Sequence, residues 1–297
     1  MLEIIKGAVS LGLLWAIMTI GVYITYRILN IADLTVEGSI ALGAAIAAQA
    51  ITNGIDPYIS TGISLLGGMA AGFVTGILHT MLKIPALLSG ILTMIALYSV
   101  NLRVLGKASL SLLRMDTVYT VIEKLGVESS WSIIILGLIS VTLVICLLYW
   151  FFGTELGCAI RATGNNPKMV RAQGINTNSM IILGLVISNG LVALSGALIA
   201  QYQTFADVQM GTGSIVIGLA SVIIGEVLFG KRNFMMRFVS LAFGAITYRI
   251  IIAFVLKLGM HSNDLKLFTA ITVAIALALP IIKGYLDPPK ISIQEEE

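Results

Sequence analysis

The segment Gly225-Glu-Val-Leu-Phe-Gly-Lys231-Arg232 has the spacing Gly-x-x-x-x-Gly-Lys with which a nucleotide-binding loop wraps phosphate. The next residue is Arg232, where a magnesium-binding Ser or Thr is required, and the motif ends an apolar run with no strand before it. It is therefore not read as an ATP site. His79 and His261 stand alone, with no second His or Cys at metal-ligand spacing, so each reads as an interfacial hydrogen bonder. No Ser/His/Asp set suggests itself. Glu226 is the carboxylate expected to be buried, with Lys231 about a turn and a half away as its partner; Asp33 and Glu37 are expected to face water. An intramembrane enzyme or an ion-coupled secondary transporter would need more ionisable groups at depth.

The richest cluster of polar residues is an island, Gly153-Thr-Glu-Leu-Gly-Cys-Ala-Ile-Arg-Ala-Thr-Gly-Asn-Asn-Pro-Lys-Met-Val-Arg-Ala-Gln-Gly-Ile-Asn176, between two long apolar runs. Thr154 is a good N-cap for a helix through Ala162, which Gly164 would close. Asn166 caps a second helix, Pro167 takes its first position and Gly174 ends it. At about seven residues, that helix is too short to stand alone in water. One reading is an amphipathic surface helix whose Lys168 and Arg171 touch lipid phosphates. The other is a docking element for a cytoplasmic protein.

The elements that hold this island are set by composition. With 58% hydrophobic and 11% charged residues and a mean hydropathy of +0.99, the 297-residue chain cannot expose its apolar surface to water. We expect an all-α polytopic bundle of about 8–10 transmembrane helices, because backbone amides in lipid must bond within their own segment. The apolar runs fall at approximately 7–28, 36–52, 59–81, 85–104, 131–152, 180–203, 213–230, 238–256 and 266–283. The first has no clear cleavage site and is read as retained. Residues 1–297 are read as one transmembrane domain with a loop at 153–179 and no soluble domain. Arg161, Lys168 and Arg171 in the island, and Lys231, Arg232 and Arg237 in a second polar turn, put both loops in the cytoplasm and Thr204–Thr212 outside.

That leaves the side of the N-terminus open, since the short 36–52 run could be re-entrant. The 104–131 stretch reads as an outer loop in which Asp116 begins a surface helix or a short strand. Cys146 and Cys158 lie too far apart in character to form a bridge. Gly68, Gly72 and Gly76 recur every fourth residue, a small-residue face for close helix packing, with dimer contact or a substrate path as its other uses.

The island, followed by Leu183-Gly-Leu-Val-Ile-Ser-Asn-Gly-Leu-Val-Ala-Leu-Ser-Gly-Ala-Leu, resembles the permeases of ABC importers of the branched-chain amino acid and ribose type. Three further segments are similar to that family: Ala32-Asp-Leu-Thr-Val-Glu-Gly-Ser, Lys83-Ile-Pro-Ala-Leu-Leu-Ser-Gly-Ile-Leu-Thr-Met, and Met210-Gly-Thr-Gly-Ser with Ala220-Ser-Val-Ile-Ile-Gly-Glu. Glu226 stands where the family more often has glycine, a variant similar to the branch linked with aromatic amino acids. The resemblance implies a plasma-membrane permease subunit of a prokaryotic importer, working by ATP-driven alternating access and not itself an enzyme. It implies cytoplasmic ATPase subunits that bind the ATP, an extracytoplasmic solute-binding protein and a second permease copy. Neither a metal, a cofactor of its own nor a nucleic acid is expected. Asn165, Asn166, Pro167, Lys168, Met169, Val170, Arg171, Ala172 and Gln173 would form the coupling helix, with Met169, Val170 and Ala172 as its docking face. Thr93, Tyr98, Ser188, Asn189, Ser195 and Glu226 are the polar residues expected along a translocation path.

Overall fold

The computed structural model describes residues 2–257 except 124–125, 127–128 and 231–232, together with 264, 267–274 and 278. Lys231, Arg232, His261 and the segment after 278 therefore lie outside the described residues. The helices are α1 (Leu2–Tyr23), α2 (Thr35–Thr52), α3 (Pro57–Thr80), α4 (Ala86–Leu105), α5 (Val118–Glu123), α6 (Ser129–Phe152), α7 (Glu155–Asn165), α8 (Pro167–Ala172), α9 (Thr177–Gln203), α10 (Ser214–Phe229) and α11 (Phe234–Lys257). Helix α1 runs on into a π-helical segment, Ile24–Ile28. Two short strands, β1 (Ser109–Ser111) and β2 (Phe205–Asp207), pair antiparallel with Leu110 opposite Ala206.

Among the described residues, seven helices are long and apolar enough to cross a membrane. Helix α10 is not one of them. Its 16 residues reach roughly 24 Å at 1.5 Å per residue, short of a hydrocarbon core of about 30 Å. The expected 213–230 span is thus an element that begins inside the bundle, behind a chain segment that dips in from the end of α9. Hydropathy alone does not distinguish a complete crossing from an apolar helix buried in protein.

Two ends of the bundle can be told apart. Gly164 of the island packs on the carbonyl of Ile28, so α1 finishes at the island end. Lys6, near its start, lies 5.3 Å from the Trp131 ring at the start of α6, which is the opposite end. If the cationic island is cytoplasmic, α1 starts outside. The parity that the sequence left open follows from this contact.

Helix α9 is the spine. A methyl group at Gly68 would overlap the Asn189 carbonyl oxygen, and one at Gly72 the Leu185 carbonyl oxygen. The glycine row on α3 therefore seats that helix directly on the α9 backbone. On its other side, Ser188 and Ser195 donate to the Gly21 and Leu14 carbonyl oxygens of α1, each at 2.7 Å. A core of Leu14, Ile17, Met18, Leu185, Val192 and Leu241 fills the space between α1, α9 and α11.

At the outer end, the β1–β2 pair ties the 105–118 connection to the end of α9. The stretch beginning at Asp116 resolves as the short helix α5. Its Tyr119 hydroxyl donates to the Leu198 carbonyl at 3.0 Å, and the Val118 amide donates to Gln201 Oε1 at 3.0 Å.

Candidate functional site

The island folds into two capped helices. Thr154 Oγ1 accepts from the Gly157 amide at 3.4 Å, Asn166 Oδ1 accepts from the Met169 amide at 3.1 Å, and Asn176 Oδ1 accepts from the Asn178 amide at 3.0 Å. Pro167 opens α8, and Gly174, at φ +83°, ends it in the left-handed region. Gly164 does not close α7 as its sequence position suggests. The helix continues to Asn165, and the missing side chain serves instead to let α7 lie on the Ile28 carbonyl. Arg161 sits 4.6 Å from the Phe234 ring centroid, over an aromatic cluster that joins Phe152 and Phe238.

Val170 is fully buried and pins α8 to its own chain. Its side chain is not on an outward face, which corrects that part of the expected docking surface: a six-residue helix has no apolar period long enough to show which way it points. Arg171 is exposed, with its Nε tied to α9 by donating to Thr177 Oγ1 at 2.7 Å. Asn165, Asn166, Pro167, Lys168, Met169, Ala172 and Gln173 are exposed.

A second cluster lies inside the bundle. Asp33 is only 3% exposed, not facing water as its position between two apolar runs suggests, because residues 29–34 turn back under α9. Asn189 Nδ2 donates to Asp33 Oδ2 at 2.8 Å, and Asn189 Oδ1 accepts from Ser39 Oγ at 2.7 Å. Asp33 Oδ1 accepts from the Thr35 amide at 2.9 Å. Thr75 then links Thr35 and Thr93, at 2.8 and 2.9 Å. The network is closed and buried, so it orients α2, α3, α4 and α9 together rather than meeting solvent.

Beside it, on the outer side, is a cavity of about 400 Å³ lined by α2, α4 and the 208–212 turn. Met94, Ile95 and Val208 make it largely apolar, Tyr98 presents a half-exposed ring, and Glu37 and Asn101 supply polar atoms. Glu37 Oε1 accepts from the Gly213 amide at 3.0 Å, which caps α10. Asn101 Nδ2 donates to the Gly38 carbonyl at 3.2 Å, while its Oδ1 is buried with no hydrogen-bond partner.

The residues expected along a path are therefore divided. Thr93 and Asn189 belong to the buried network, Tyr98 to the cavity, and Ser188 and Ser195 to the α1–α9 contact. Glu226, at the inner end of α10, pairs with Arg27 of the π-helical segment. Arg27 is 199 residues away from it in sequence, and Lys231, the partner that the sequence suggests, lies outside the described residues. His79 Nδ1 lies 2.8 Å from the Ile84 carbonyl, the hydrogen bond expected of an interfacial histidine. Among the described residues, no group of three or more His, Cys, Asp or Glu side chains could hold a metal. Sequence reading missed Asn101 and the role of Glu37. The signal for Glu37 was present, an ionisable residue inside an otherwise apolar helix.

Residues 4–281 match the family described as branched-chain amino acid transport system, permease component. The chain is 44% identical over 274 residues to a tyrosine transport system permease protein of Clostridioides difficile, covering 92% of this chain and 90% of that one. It is 27% identical over 211 residues to an autoinducer 2 import system permease protein of Yersinia pseudotuberculosis, covering 71% of this chain and 58% of the relative. Among solved structures, PsaBC from Streptococcus pneumoniae in complex with Fab has a similar fold, with a TM-score of 0.52 at 17% identity, over 92% of this chain and 89% of that one.

Proposed function

The chain belongs to the family of branched-chain amino acid transport system permease components, and from that premise we propose that it passes an aromatic amino acid such as tyrosine through the membrane. As a permease subunit of an ABC importer it is a multi-span protein of the prokaryotic plasma membrane and not an enzyme, since ATP in this family is bound and hydrolysed by separate subunits. This decides against an ion-coupled secondary transporter or an intramembrane enzyme. The solute reading is supported by the 44% identity to the tyrosine transport permease, which extends over nearly all of both chains.

The observation that carries the mechanism is the anchored helix α8. Its buried Val170 and the exposed Lys168, Met169, Ala172 and Gln173 leave one rigid face for a cytoplasmic ATPase. A binding protein would deliver the solute at the opposite end, to a pair of permease copies forming one transmembrane unit. ATP-driven closure would move α8 and α7 as a unit. Because α7 lies on Ile28 and Arg27 holds Glu226, that displacement would reach α1 and α10, which flank the bundle core. No cofactor of the permease itself enters the cycle.

Uptake of labelled L-tyrosine by cells that express the permease with its ATPase and binding protein tests this reading. Uptake is expected only when all three are present, with the ATPase copurifying on the permease. Uptake by the permease alone would overturn it.

A further inference from the structure

Glu37 is a half-buried carboxylate on the cavity wall. From Glu37 to the outer end of α2 at Thr52 the helix covers roughly 22 Å at 1.5 Å per residue. An ionisable group within a membrane bundle faces a cavity or finds polar partners. Among the described residues the ion pairs are Lys6–Glu3 and Arg27–Glu226, and neither involves Glu37. Among the described residues its hydrogen-bond donor is the Gly213 amide, to Oε1, and no basic side chain lines the cavity it faces.

Asn101, 1% exposed, gives its Nδ2 to the Gly38 carbonyl and its Oδ1 is closed off from the cavity, so the charged acceptor that the cavity offers is the Glu37 carboxylate. A donor-rich, positively charged group fits there, and the remaining wall of Met94, Ile95, Val208 and Tyr98 fits an apolar or aromatic body.

We infer that this cavity holds the ammonium group of an amino-acid solute in transit, on the Glu37 carboxylate. The inference rests on the importer reading above and assigns the substrate's amine, rather than its carboxylate, as the group recognised within the membrane.

The test uses the assembled permease–ATPase complex in nanodiscs, with saturation-transfer NMR of three probes: L-tyrosine, tyramine and 3-(4-hydroxyphenyl)propionate. The two amines are expected to give a signal and the des-amino acid none. Glu37→Gln keeps an oxygen for the Gly213 amide but removes the charge, and is expected to weaken amine binding on the order of ten- to a hundred-fold. Equal signals from tyramine and the des-amino acid, or no signal from either amine, would overturn the inference with the wild-type complex alone. So would an undiminished tyramine signal in a Glu37→Gln complex that still copurifies its ATPase. Failure of the wild-type chain to retain any ATPase counts against the importer reading itself.

Discussion

The Glu226 side chain, 9% exposed at the end of α10, meets the guanidinium of Arg27, whose side chain is 42% exposed. The pair is thus asymmetric, with the carboxylate inside and the cation at the edge. It joins the π-helical end of α1 to the short helix α10 beside the island. Removing either partner should have unequal effects.

Arg27→Met deprives a mostly buried carboxylate of this cation, and is expected to cost about 1–3 kcal/mol, a range kept low because Arg27 is partly solvated. Glu226→Gln leaves an arginine that can turn to water and should cost less than about 1 kcal/mol. Thermal melts of the purified protein in detergent measure both. A larger loss for Glu226→Gln than for Arg27→Met would contradict the asymmetry.

Met169 and Val170 are neighbours on α8 with opposite environments. Met169→Glu is expected to abolish ATPase copurification while leaving the melting temperature within a degree or two, because Met169 touches little of its own chain. Val170→Asp should instead lower the stability of the loop, by about 2–4 kcal/mol locally, by placing a charge in an apolar site. Pull-down at matched membrane expression, with limited proteolysis of the loop, separates the two effects.

Gly72→Leu would drive a side chain into the Leu185 carbonyl and should separate α3 from α9. Overpacking of this kind costs about 1–3 kcal/mol or more. Gly62, with open space around the place a side chain would take, is the control, and Gly62→Leu should be tolerated. Comparable losses at both positions would show that the glycine row is not a packing face.

Sidedness has a direct reading in thiol labelling. In a background with Cys146 and Cys158 replaced, Glu3→Cys and Lys107→Cys should react with an impermeant reagent in intact cells. Gln173→Cys should react only after permeabilisation. Protection of Glu3→Cys together with reaction at Gln173→Cys would invert the bundle.

Much of the island was legible because capping is local. Thr154, Asn166, Pro167 and Gly174 act within three residues of where they stand, and each does so in the structure. The glycine row of α3 was legible as a packing face, although its partner helix was not. What sequence could not reveal is long-range. Asp33 and Asn189 are 156 residues apart, and nothing in either neighbourhood announces that they meet. The fold likewise brings Arg27 to Glu226 across 199 residues, a pairing that nothing near either residue announces. The length of α10 misled for a different reason: an apolar run reports dryness, and the protein interior is as dry as lipid.

Helix α9 has a consequence for how force travels. Its 27 residues make a rod of roughly 40 Å at 1.5 Å per residue. One tip is fastened to the polar island by Arg171 on Thr177, and near the other Gln201 donates to Thr61 of α3 and accepts from the Val118 amide of α5. A helix with its backbone bonds intact resists compression along its axis. On the proposed docking at α8, a push from an ATPase would be carried along this helix to the outer surface, as through a pushrod, so that the two faces of the membrane would share a single mechanical part.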